Sequence, residues 1–214
     1  MTRFTIPLAA LALVAIGGCA KPSQAPSAGP TPETKPAAPS AQVGIPSLKH
    51  SAADVKFMHN MIGHHAQAVR IAAWAPLHDA SPAVQRMAER VVVGQNDEIA
   101  IMQRWLRARN ETVPEADSVH SMHQAMQMPG MLSQADLEQL DKARGAAFDR
   151  LFLTFMIRHH RGALTMVDEL FGSQGAAQDE TVFRLASDVY ADQSTEIQRM
   201  QKMIEALPPE RNQQ

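Results

Sequence analysis

The chain has 214 residues, and its 20 Lys and Arg stand against 22 Asp and Glu for a formal net charge of -2. That balance, with no basic stripe along the chain, excludes a protein built to grip nucleic acid, which needs a clear positive excess. One cysteine excludes an internal disulfide and any Cys-pair site for zinc or redox work, whereas 13 Met and 9 His against a single Tyr draw attention to metal ligation.

The first segment reads as a targeting sequence. Arg3 supplies a positive start, and Phe4 to Ile16 form an apolar run about 13 residues long, too short to span a bilayer comfortably. It ends in Ile16-Gly17-Gly18-Cys19, which resembles the bacterial lipobox, where small residues precede a cysteine that is lipidated and becomes the mature N-terminus. Residues 1–18 are therefore expected to be a lipoprotein signal peptide, and Cys19 the lipidation site. The expected location is the cell envelope, lipid-anchored and facing the periplasm. From Cys19 to Leu48 the chain is rich in Pro, Ala, Ser, Gly and Thr; it carries too few large apolar residues to offset the entropy of folding and is expected to be a flexible, partly extended tether. The remainder, 49–208, fits a single domain.

That domain carries an internal repeat. Asp54-x-x-Phe57-x-x-x-Met61-Ile62-x-His64-His65-x-x-Ala68 returns at an offset of 95 as Asp149-x-x-Phe152-x-x-x-Met156-Ile157-x-His159-His160-x-x-Ala163. A second block, Val84-x-Arg86-x-Ala88-x-x-Val91-x-x-x-Gln95-x-x-Glu98-Ile99-x-x-Met102-Gln103, returns at an offset of 98 between Val182 and Gln201. Identities spaced by three and four, with long unbranched residues and few interior breakers, predict helices over about 51–77, 82–109, 146–171 and 180–206. Ser51 with Asp54, and the Ser81-Pro82 pair, make good helix starts. Short connections at His78 to Ser81 and Gly172 to Gln178 make each half an antiparallel hairpin, and two hairpins packing their apolar stripes together give an all-α four-helix bundle. Between the halves, Glu111 to Gly130 reads as a loop, and Ser133 to Lys142 as a short extra helix.

The repeated residues carry the chemistry. On a helix, Met61 lies on the face of His64 and His65, and Met156 on that of His159 and His160. Adjacent histidines diverge by about 100°, so one ring of each pair can point to the bundle centre and the other to a neighbouring helix. Glu98 with Met102, and Glu196 with Met200, share stripes on the partner helices, which brings imidazole, carboxylate and thioether to equivalent places in both halves. The bland alternative for each is that the methionines are core and the glutamates are acceptors that orient a ring. Di-iron bundles need Glu-x-x-His where this chain has Met61-x-x-His64 and Met156-x-x-His159. Thioether with imidazole suits Cu(I), or Ag(I) as its mimic, better than iron or zinc.

The loop points the same way: His120, Met122, His123, Met126 and Met128, followed by Met131, place soft or borderline donors on one short segment. Its bland reading is adaptable methionine packing over the bundle's end. His50, His59 and His78 have no repeated counterpart, and surface roles are expected for them.

The Phe-x-x-x-Met-Ile-x-His-His-x-x-Ala motif, its repeat after Gly145-x-x-Phe148-Asp149, and the later Glu-Ile-x-x-Met resemble the bacterial family known as domain of unknown function three hundred and five. The resemblance spans about 50–206. It implies a ferritin-like helical bundle, export, and an association with copper binding and tolerance, carried onto the His-His and Met positions named above. The expected function is thus a membrane-tethered metal-binding protein that buffers Cu(I) or Ag(I), with metal ions as partners and no turnover chemistry. The membrane is met through the lipid anchor alone, and self-association is left open. Two rivals stand beside it: a ferritin-like metal-dependent oxidoreductase, kept open by Glu98 and Glu196, and a structural lipoprotein whose His pairs are buried polar links.

Overall fold

In the computed structural model, which describes residues 50–114 and 128–209, helices α1 (Ala52–Ala72), α2 (Pro82–Ala108), α3 (Gln134–Lys142), α4 (Gly145–Gly172) and α5 (Glu180–Ala206) follow one another in an all-α bundle. Cys19 and the segments 1–49 and 115–127, with His120, Met122, His123 and Met126, lie outside the described residues.

Helices α1, α2, α3 and α5 each begin where a side chain satisfies unpaired N–H groups. Ser51 accepts from the Asp54 N–H while the Asp54 carboxylate accepts from the Ser51 N–H at 2.8 Å, a complete capping box. Ser133 and Asp136 repeat that device at α3. Ser81 caps α2 with Pro82 in its first turn, and Asp179 caps α5. One boundary differs from expectation: α1 ends at Ala72, and Ala75–Leu77 forms a separate 3-10 turn. Pro76 is the reason, because it has no N–H for the Ala72 carbonyl and its ring would collide with that oxygen in a continuing α-helix.

The helices pair as the repeat demands. α1 packs on α2 and α4 on α5, and the two hairpins meet chiefly through α1 and α4. The meeting is locked reciprocally by the two repeated aspartates. Asp54 accepts the Ala177 N–H at 2.7 Å from the turn of the second hairpin, and Asp149 accepts the Ser81 N–H at 3.1 Å from the turn of the first. Both carboxylates are almost wholly buried. At the far ends of α2 and α5, Trp105 donates its indole N–H to Asp179 at 3.0 Å, and Arg109 forms an ion pair with the same carboxylate.

Phe148, Phe152, Leu153 and Met156 anchor one core cluster, and Met58, Met61, Ile62 and Met102 another. His78, expected on the surface, is instead buried between Trp74 and Phe148, with its ring nitrogens 3.0 Å from the carbonyl oxygens of Trp74 and Asp141. It ties the first hairpin's turn to the end of α3, a long-range contact with no periodic signal. His50 is half-buried, edge-on to Trp105 and 3.2 Å from Glu111, and His59 is half-buried with its Nε2 enclosed, so none of the three is a free surface histidine. Among the described residues no helix is long and apolar enough to cross a membrane.

Candidate metal centre

The two His-His pairs meet where α1 crosses α4, and all four imidazoles are fully buried. Consecutive helical positions send the rings of each pair in different directions, and the duplication makes the directions correspond. His64 and His159 point at each other across the interface, with ring centroids 3.8 Å apart and planes inclined by 37°. His65 and His160 turn outward to the second helix of their own hairpin. There His65 Nε2 donates to Glu98 at 2.6 Å and His160 Nε2 donates to Glu196 at 2.8 Å. Within each pair the centroids are 6.3 Å apart, inclined at 56° in the first and 58° in the second. Each glutamate side chain retains 14% exposure, so the carboxylates stand between the buried rings and solvent.

These bonds set the tautomers. A carbonyl can only accept, so the 3.1 Å contact between His64 Nε2 and the Pro129 oxygen fixes the proton on Nε2. A carboxylate on Nε2 likewise places a proton on that nitrogen in His65 and His160; among the described residues neither of their Nδ1 atoms makes a hydrogen bond. Among the described residues His159 has no hydrogen bond at either ring nitrogen. Burial, then the neighbouring His64, His160 and His65, hold its pKa well below that of an ordinary histidine, while a weak approach to the His64 backbone works the other way without reaching hydrogen-bond geometry. Neutral imidazole is the protonation state that binds metals, and for His159 it is the form that burial favours.

Met61, Met156, Met102 and Met200 are all fully buried, and Met128 is buried in the same cluster as Met61 and Met102. In donor type this set fits a soft monovalent cation: imidazole nitrogens and thioethers, all of them buried. It is not a finished shell. Among the described residues no three His, Asp or Glu side chains surround one point closely enough to hold an ion. The His64 and His159 rings lie 3.8 Å apart between centroids at a tilt of 37°, too close for an ion to sit between them.

The divergence inside the repeat shapes one side of the cluster. Where the first motif has Gln67 the second has Gly162. The bare Gly162 backbone lets Pro129 pass so closely that an added Cβ would stand 2.0 Å from the Pro129 oxygen. Gln67 grips the same segment from the other half, donating to the Leu132 oxygen at 3.0 Å and accepting the Leu132 N–H at 2.9 Å. The identity difference at this repeated position was visible in the sequence; the backbone it seats was not.

Known proteins resemble this chain in fold. A family model described as domain of unknown function (DUF305) matches residues 54–204. A DUF305 fragment from Deinococcus radiodurans is 27% identical, with a TM-score of 0.63 over 74% of this chain and 99% of that one. A DUF305 protein described as a putative secreted protein, from Streptomyces coelicolor, is 26% identical, with a TM-score of 0.62 over 72% and 92%. CopM in its Cu(I)-bound form is 27% identical, with a TM-score of 0.55 over 71% and 95%, and CopM is also solved with silver and with Cu(II). No curated protein matches the chain.

Proposed function

The chain belongs to the DUF305 family, and on that footing we propose that it is an exported, membrane-tethered protein that buffers Cu(I), with Ag(I) as its mimic, through its buried histidines and methionines. The observation that carries this reading is the His64, His65, His159 and His160 cluster: four imidazoles gathered in a buried interior, three of them with ring nitrogens that make no hydrogen bond among the described residues. An unpaired buried nitrogen is costly unless something uses it. That a similar bundle binds Cu(I), Cu(II) and silver supports the same choice. Ligation on this proposal takes a turn of the rings, with Met61 and Met156 one helical turn before the pairs, Met102 and Met200 across from them, and Glu98 and Glu196 holding the outer rings by their Nε2 protons. His120, Met122, His123, Met126 and Met128 would add donors from the connecting segment. Copper is the cofactor proposed, with iron and zinc poorer matches for these donors. The tether and anchor are part of the proposal, resting on Ile16-Gly17-Gly18-Cys19 and the Pro/Ala-rich stretch after it.

One observation favours a second reading: the His65–Glu98 and His160–Glu196 bonds would equally serve a structural lipoprotein in which the histidines are polar links. Competition for Cu(I) against a chromophoric chelator separates the two. With all four histidines changed to Gln, the metal reading expects affinity to fall by at least about 100-fold while circular dichroism still reports a helical bundle. Unchanged affinity with a lowered melting temperature would instead assign the cluster to architecture.

A further inference from the structure

The four imidazoles are fully enclosed, so any ion that reaches them needs a way in. On the α1–α4 side the Pro129 backbone lies against both His64 and Gly162. On the opposite side, between α2 and α5, there is a pocket of about 160 Å³. Gln95, Glu98, Gln193 and Glu196 line it, two from each hairpin at equivalent repeat positions.

Two features of this pocket call for a polar, positively charged occupant. Gln95 and Gln193 are 4% and 2% exposed, and among the described residues neither amide makes a hydrogen bond through its oxygen or its nitrogen. Buried amides without partners are rare in folded proteins, and here the pocket's contents are the partners within reach. The second feature is charge. Asp192 joins Glu98 and Glu196 in the lining, and these three carboxylates outnumber the two guanidiniums, Arg90 and Arg199. Such a concave, negative surface concentrates cations. Its inner carboxylates are the same two that accept the ring protons of His65 and His160, so each of them links the pocket to a buried ring.

We infer that the α2–α5 pocket is the loading site of the metal centre, where a partly hydrated cation is held by the Gln95 and Gln193 amides and the surrounding carboxylates before it passes Glu98 and Glu196 to the histidines. The inference rests on the copper-buffering reading and adds its route. It assigns Asp192 to capture and not to final ligation: the residue is exposed, and its repeat counterpart is Gly94.

The test is stopped-flow uptake of Ag(I), added as its nitrate to the full chain and followed by ultraviolet absorbance, with affinity taken from endpoint competition. Asp192→Lys reverses the charge at the pocket, and Asp168→Lys makes the same change at an exposed position on α4 outside it. Uptake by Asp192→Lys should be slower by about 10-fold and less sensitive to salt, with affinity changed far less, while Asp168→Lys keeps the native rate. Equal rates in the two variants would overturn the route while leaving the metal reading intact. Affinity falling as far as the rate, with an unchanged off-rate, would place Asp192 in the holding site and overturn it also. No silver uptake by the unaltered chain would remove the route together with the reading beneath it.

Discussion

The two halves of the bundle hold their outer histidines almost identically and their inner histidines differently. His65–Glu98 and His160–Glu196 differ by 0.2 Å in length, at 2.6 and 2.8 Å, and the rings within each pair by 2° in inclination, at 56° and 58°. Yet His64 donates to the Pro129 carbonyl, while His159, its partner across the interface, makes no hydrogen bond through either nitrogen among the described residues. Duplication alone yields a symmetric quartet. The asymmetry comes from one diverged repeat position, Gln67 against Gly162, through which a single segment of backbone is seated on one side of that quartet. What is doubled in this fold is the donor set, and what is single is its cover.

The sharpest way to break the comparison is Gly162→Ala. The new Cβ would meet the Pro129 oxygen at 2.0 Å, the Pro129 carbonyl carbon at 2.4 Å and the Gly130 Cα at 2.7 Å. All three are backbone atoms, so no rotamer change relieves the clash and the segment must lift. Overpacking of this kind costs about 3 kcal/mol, and urea denaturation should show it, together with a changed chemical shift for the His64 ring as its acceptor leaves. A variant of native stability would mean that the segment is not held against α4 in solution.

A smaller loss is expected from the other side of the same contact. Gln67→Ala removes both hydrogen bonds to Leu132 and leaves a buried N–H and C=O without partners, at a cost of about 2 kcal/mol. Because Gly162 and Gln67 secure one segment, the double variant should lose less than the sum of the singles. Strict additivity in the same denaturation series would show that the two halves hold the segment independently.

Much of this was legible from spacing, and the remainder was not, for identifiable reasons. The helices follow from the doubled three-and-four pattern, and the caps at Ser51, Ser81 and Ser133 from local chemistry that acts within four residues. Four bundled helices follow from two hairpins with one apolar stripe apiece. The divergence of adjacent histidines also follows from helix geometry, which made it legible that one ring of each pair could face inward. Helix rotation was not legible, so stacking of His64 on His159 without a closed ligand shell could not be foreseen. Long-range contacts lay equally out of reach: His78 on Asp141, Asp54 on Ala177 and Asp149 on Ser81 join residues 63, 123 and 68 positions apart. Asp54 and Asp149 did stand out as repeated positions. Their role in fastening each hairpin to the turn of the other required the fold.

The mildest probe of the asymmetry is pH, because it perturbs no atom until a proton arrives. Burial and the three neighbouring imidazoles depress the pKa of His159 well below 6.5 in the folded chain, whereas in the unfolded chain the ring titrates near the ordinary value of about 6.5. Below that value the unfolded state therefore binds a proton that the folded state refuses. Stability is at its full value above pH 6.5 and falls as the solution is acidified, by up to about 1.4 kcal/mol per pH unit for one proton, until the folded pKa is reached. His159→Gln removes that proton from the balance. Urea midpoints taken from pH 8 down to pH 5 should therefore decline less steeply in the variant than in the native chain, by close to one proton's worth of slope. Should the two profiles run parallel, His159 would be protonated no less readily in the fold than out of it, and the inner pair would be as well satisfied as the outer one.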